Sequence, residues 1–166
     1  MIRNGAFKDS MGLQDVTAHH ATEIVHINAG GKRYSTLFET LARSKSSYFI
    51  HFVRIDDTSG KILLYHRNFI EDLSGGIFIN RDGDLFGYIL QYMRDGKRTV
   101  LPDDINKLKQ LAREAEFFGM ENLRRVILEK LDMEEKRKEE AESILLAIKN
   151  TTNQISQNLY FNGFKR

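Results

Sequence analysis

The chain has 166 residues, 29% of them charged and 41% apolar, with a formal net charge of +2. That composition suits one modest globular domain with extensions, and a charge so near neutral gives no argument for nucleic acid as a partner. Cysteine is absent, which excludes disulfides, thiolate metal ligands and cysteine nucleophiles; no apolar run reaches the roughly 18 residues of a membrane span, and the opening MIRNGAFKDSMGLQD has no apolar signal core, so the cytoplasm is the expected location.

Residues 1–22 are polar, contain glycine and keep no sustained period, so a disordered arm is expected there. His19, His20 and His26 lie near its end without a spaced set of carboxylates, and solvated side chains rather than metal ligands are expected. EIVHIN at 23–28 is short and β-branched, Gly30 and Gly31 make a turn, and residues 32–36 return antiparallel, which predicts a hairpin over 24–36. Gly30-Gly31-Lys32 is not a phosphate-binding loop. His26 stands where the motif needs its earlier glycine, and Arg33 where it needs Ser or Thr.

Ser35 or Thr36 is placed to cap a first helix whose apolar face is Leu37, Phe38, Leu41 and Ala42. A second short helix is expected over 48–53. Within 54–74 only residues 62–65 read as a strand, after a loop at 56–60.

SGGIFINRDGDLFGYILQYMRDG at 74–96 is the stretch around which the rest is expected to be arranged. Ile77, Phe78 and Ile79 read as a buried strand, Asn80-Arg81-Asp82-Gly83 as a turn, and Asp84 as a helix cap. From Leu85 to Met93 apolar side chains point to nearly every side, which predicts a buried helix, stopped by Gly96. A further helix starts at Asp103 or Asp104, with Ile105, Leu108, Leu111, Ala112, Ala115 and Phe118 on one stripe and Gly119 at its end. Glu114 and Glu116 fall off that stripe and read as its solvated face. Since no nucleophile–base pair, metal set or phosphate loop emerges, neither an enzyme nor a cofactor is expected.

A last helix begins at Met120 and runs into EEKRKEEAE at 134–142. A four-three spacing joins Ile127, Leu131, Glu134, Lys138, Ala141, Leu145, Ile148, Thr152, Ile155 and Leu159, apolar mainly from Ala141 onward. It reads either as a short coiled coil between subunits or as a solvated helix with one apolar end.

Three blocks in order, IVHINAGGKRYST at 24–36, GGIFINRDGDLFGYILQYMRDGK at 75–97 and LPDDINKLKQLAREAEFFGMENL at 101–123, resemble the BTB/POZ domain of the potassium-channel tetramerisation type. The resemblance implies a small α/β (α+β) fold, a short sheet flanked by helices, over 23–131. Residues 132–166 are then a charged helix and tail. It also implies closed rings of four or five subunits and a protein partner, such as the cullin scaffold of a ubiquitin ligase. A zinc site of histidine and cysteine, found between subunits in some members, is not expected without cysteine. Polar and charged side chains on the turn and at both helix ends, Asn80, Arg81, Asp82, Asp84, Arg94 and Asp95, are the expected contacts between subunits. Tyr48, Phe49 and Phe52 are candidate partner contacts, since aromatic anchors dominate many interfaces. The rival expectation is a structural assembly module, serving a membrane protein or scaffold without a ligase role.

Overall fold

The computed structural model describes residues 15–163. Two strands joined by a tight turn, β2 (Ile24–Ala29) and β3 (Lys32–Leu37), make the expected hairpin. Along β2 the side chains of Val25, Ile27 and Ala29 are buried while Ile24 and His26 face out, the two-residue period of a half-buried strand. Gly30 and Gly31 hold φ of 56° and 97°, as a two-residue turn with both central residues left-handed requires. Gly30 has a second constraint: a Cβ there would come 2.3 Å from the Arg81 carbonyl oxygen.

The hairpin belongs to a four-stranded sheet of order β3-β2-β7-β6. β7 (Ile77–Ile79) runs parallel to β2 with Ile27 beside Ile77, and β6 (Ile70–Glu71) closes the far edge. A second sheet, β1-β5-β4, joins Val16–His19, Ile62–Tyr65 and Val53–Ile55. Four helices cover these strands: α1 (Phe38–Ala42), α2 (Gly83–Asp95), α3 (Ile105–Phe117) and α4 (Glu121–Gly163). The core lies where Ile27, Ile77 and Ile79 meet Phe86 and Ile89 of α2, Leu108 and Leu111 of α3, and Leu123 and Ile127 of α4. The architecture is α+β, as expected.

Several expectations are corrected. Within the arm expected to be disordered, residues 16–19 form β1, in register with β5 from Val16 opposite Tyr65 to His19 opposite Ile62. The Thr17 hydroxyl lies 2.7 Å from Nε2 of His19 and 2.8 Å from Nε2 of His66, which ties this edge strand down. Residues 1–14 of that arm lie outside the described residues. Thr36 is buried in β3, so α1 starts after an extended Leu37 and has no side-chain cap. The helix expected over 48–53 is one 3-10 turn, Phe49–His51, because Val53 already belongs to β4. Within the 54–74 segment the strand expected at 62–65 is present as β5, and the segment also supplies β6 and the end of β4, which were not expected.

Asp82, not Asp84, caps α2, its carboxylate accepting a hydrogen bond from the Leu85 amide at 2.9 Å. Nor is α2 buried all round. Leu85, Phe86, Ile89 and Leu90 are buried, whereas Tyr88, Tyr92 and Met93 are half-buried and Gln91 is exposed. Its start presses on the hairpin: a Cβ on Gly83 would meet the Ala29 carbonyl oxygen at 2.6 Å, and the Tyr34 hydroxyl donates to the Gly83 carbonyl. α4 runs unbroken across the boundary expected at residue 131, in one helix of 43 residues.

Candidate functional site

The turn after β7 and the first turn of α2 gather Asn80, Arg81, Asp82 and Asp84. Arg94 and Asp95 stand at the helix's other end, roughly 16–20 Å away at the usual rise per residue. They form two clusters rather than one. Asp84, Tyr88, Gln91 and Asp95 follow four-three-four steps along one face of α2 and wall an open groove of about 440 Å³, with Lys32 and Tyr34 of β3 opposite. Across it Lys32 Nζ lies 2.6 Å from an Asp84 carboxylate oxygen. The pair shifts both groups: the hydrogen bond and charge of Asp84 raise the Lys32 pKa, and Lys32 lowers that of Asp84. At the far end the Gln91 amide donates to Asp95, and the Arg94 guanidinium donates to the Ser35 carbonyl at 2.7 Å.

Arg81 turns inward. Its Nε and Nη2 donate to the two carboxylate oxygens of Glu114 at 3.0 and 2.5 Å, a bidentate pairing. Glu114 is only 5% exposed, so the expectation of a solvated carboxylate there is corrected. The signal was present in the spacing: Glu114 lies three residues after Leu111 and four before Phe118, on the stripe itself. Glu114 holds the Arg81 pKa above its ordinary value. The guanidinium carbon also sits 4.3 Å from the Phe117 ring centroid, within cation–π range.

The aromatic candidates separate. Phe49 and Phe52 are 0% and 2% exposed, part of the ring cluster in which Phe49 stacks on Phe118 at 5.8 Å. They are core, and no partner reaches them while the domain is folded. Tyr48 is half-buried, and desolvation pushes its hydroxyl pKa up. Beside it, ring centroids 5.1 Å apart, stands Phe117, 42% exposed. Phe117 is absent from the residues singled out in the sequence, because it follows no stripe; its neighbours Tyr48 and Arg81 arrive from other elements. Tyr48, Phe117 and Arg81 make a surface patch; tyrosine and arginine are enriched in binding hot spots, and phenylalanine in interface cores. Of the histidines, the His26 ring contacts Ser35, while His19 stacks on Phe38 and shares the Thr17 hydroxyl with His66. Among the described residues no three His, Asp or Glu side chains gather as a metal site, and no helix is long and apolar enough to cross a membrane.

Comparison with known proteins agrees with this architecture. A BTB/POZ domain family model matches residues 25–127. An uncharacterised protein of Caenorhabditis elegans is 37% identical over 110 residues, 64% of this chain and 79% of its own length. The potassium channel regulatory protein of Homo sapiens is 32% identical over 101 residues, 61% of this chain and 33% of its own. The SH3KBP1-binding protein 1 of Bos taurus is 35% identical over 112 residues, 66% of this chain and 14% of its own. The chain thus spans most of the worm protein but a third or less of the other two. With the hairpin, the Arg-Asp-Gly turn and the helices α2 and α3 all inside the matched span, the chain belongs to the BTB/POZ domain family, of the potassium-channel tetramerisation type.

Proposed function

We propose that this chain is a non-enzymatic, homo-oligomeric adaptor of the cytoplasm. Copies close head to tail into a ring of four or five through the α2 edge, and the ring holds a protein partner, the cullin scaffold of a ubiquitin ligase. The observation that carries this reading is the α2 groove, where the exposed Asp84 and the half-buried Asp95 share one face with basic side chains nearby. Opposite charges on one edge suit a heterologous contact between identical copies. Asn80, Asp84, Arg94 and Asp95 face the neighbouring subunit, while Arg81 and Asp82 shape the rim from within, as ion-pair partner and helix cap. The partner meets Tyr48 and Phe117.

Light scattering on the full chain at tens of micromolar tests the ring. The expected mass is four or five times 19.3 kDa, and a single-chain mass overturns the reading. A pull-down against a panel of cullins tests the partner. Phe117→Ala should lower capture by roughly tenfold or more, the effect of losing an aromatic hot spot, at unchanged ring mass. A second reading, an assembly module for a membrane protein or scaffold without a ligase role, draws support from the name of the human relative, a potassium channel regulatory protein, and from the exposed length of α4. Failure with every cullin while the ring persists would favour it.

A further inference from the structure

Past Leu131 the helix α4 keeps a few side-chain contacts with the domain body, Glu135 pairing with Lys109 at 2.8 Å and Glu134 and Ala141 bordering the start of α3. From residue 136 onward every described side chain is exposed. The exposure is not evenly polar. Ile144, Leu145, Ile148, Ile155 and Leu159 are each at least 55% exposed, and at a helix's 100° per residue they share one face. Steps of four and three carry that face back through Ala141 to Leu131 and Ile127, the latter already packed in the core. A strip of this width left bare on a helix is a contact surface awaiting an occupant.

We propose that residues 141–159 of α4 form a parallel bundle with the same segment of three other copies, a stalk of four strands. The reasoning starts from the seam. Leu145 and Leu159 occupy the first apolar position of the heptad and Ile148 and Ile155 the second, an arrangement that shifts preference from two strands to three or four. Ile144 adds a third apolar position beside the seam, widening the face as a multi-helix bundle requires. Thr152 is the polar residue in the seam, and its hydroxyl already donates to the Ile148 carbonyl at 2.9 Å, so burial leaves no unpaired donor. Charge gives the direction. In a parallel register Arg137, one turn before that segment and paired within its own helix with Glu134, comes opposite Glu142 of the neighbouring helix, opposite signs at the positions that choose orientation. About three heptads are short for an isolated coiled coil. The stalk rests on the ring reading for its tether, which supplies the local concentration, and of the ring sizes four and five it selects four.

Single cysteines are clean probes, since the natural chain has none. Full-length chains carrying Ile155→Cys in the seam, or Gln157→Cys facing away from it, are oxidised in air and compared on non-reducing gels. Light scattering is run on the natural chain and on a Leu145→Glu, Ile148→Glu double variant, whose changes lie outside the core. The expected results are a mass of four chains and covalent pairing at residue 155 but not at 157. The double variant should dissociate at a concentration at least about tenfold higher, with a native circular-dichroism spectrum. A ring of four or five with no pairing at 155 overturns the stalk and leaves the ring standing. A five-chain mass with pairing overturns the count of four. A single-chain mass overturns both readings, with or without pairing at 155. Sedimentation with phosphatidylcholine vesicles that the double variant abolishes, without pairing at 155, assigns the strip to a membrane surface and overturns the stalk.

Discussion

Arg81 shows how one side chain serves two demands. Its bidentate pair with the buried Glu114 satisfies a carboxylate that would otherwise be stranded, while Phe117 lies under its guanidinium. Removing one partner of a buried pair costs far more than removing both. Arg81→Ala should lower unfolding free energy by about 2–4 kcal/mol, and the double change Arg81→Met with Glu114→Leu should recover most of it in urea titrations. For the same reason Arg81→Glu is a poor probe of assembly: it sets two carboxylates together inside one chain. Asp72 carries the pH prediction. The amide of Gly76 first, then the Asn28 side chain and the Ser74 amide, hold its pKa below the ordinary carboxylate value. A depressed folded pKa contributes stability that is complete above about pH 4–5, the range of the unfolded group, and is lost as pH falls through the folded value. The urea midpoint should therefore fall on acidification below about pH 4, and Asp72→Asn should flatten that slope. The sequence announced these roles unevenly. Asp82 and Asp84 are both chemically able to cap a helix, and only the backbone of β7 decides which of them meets the free amide of Leu85. Glu114 was hidden because its charge outweighed its position on the apolar stripe.

Elements with a strong internal period were legible. The β2–β3 hairpin, β7 and the helices α2 and α3 stand where alternation, glycine pairs and four-three spacing placed them. The elements that escaped owe their existence to distant partners. β1 reads Val-Thr-Ala-His, four residues whose apolar pair Val16 and Ala18 faces out, and is a strand because β5 offers it an edge. β4 and β6 have three and two residues, too few to show a period. At this scale the sharpest prediction concerns Gly83. Alanine normally favours a helix over glycine by roughly 1 kcal/mol, yet here its methyl would strike the Ala29 carbonyl and the Lys32 stem. Gly83→Ala should therefore destabilise by about 1–3 kcal/mol, as overpacking does, and thermal unfolding would show it. A neutral or raised midpoint would mean that α2 slides freely along the hairpin.

At the scale of the whole molecule, the α2 edge and the α4 strip respond differently to solvent. Contacts between exposed charges weaken as ionic strength rises, since the screening length falls to about 3 Å at 1 M salt. A ring closed through Asp84, Arg94 and Asp95 should dissociate more readily in salt, and Asp84→Asn, which adds no like charge beside Lys32, should lower the mass measured by light scattering at unchanged circular dichroism. An apolar strip gains nothing from dilute buffer and holds in salt. Measuring subunit exchange against sodium chloride therefore ranks the two surfaces, and salt-independent assembly would move the weight from α2 to α4. The 43 residues of α4 carry one more consequence. From Ala141 to Gly163 the helix rises about 1.5 Å per residue, which makes it a spacer of roughly 33 Å. Cargo attached near Tyr160 would be held at arm's length from the domain, at a distance set by a rod and not by a slack cord.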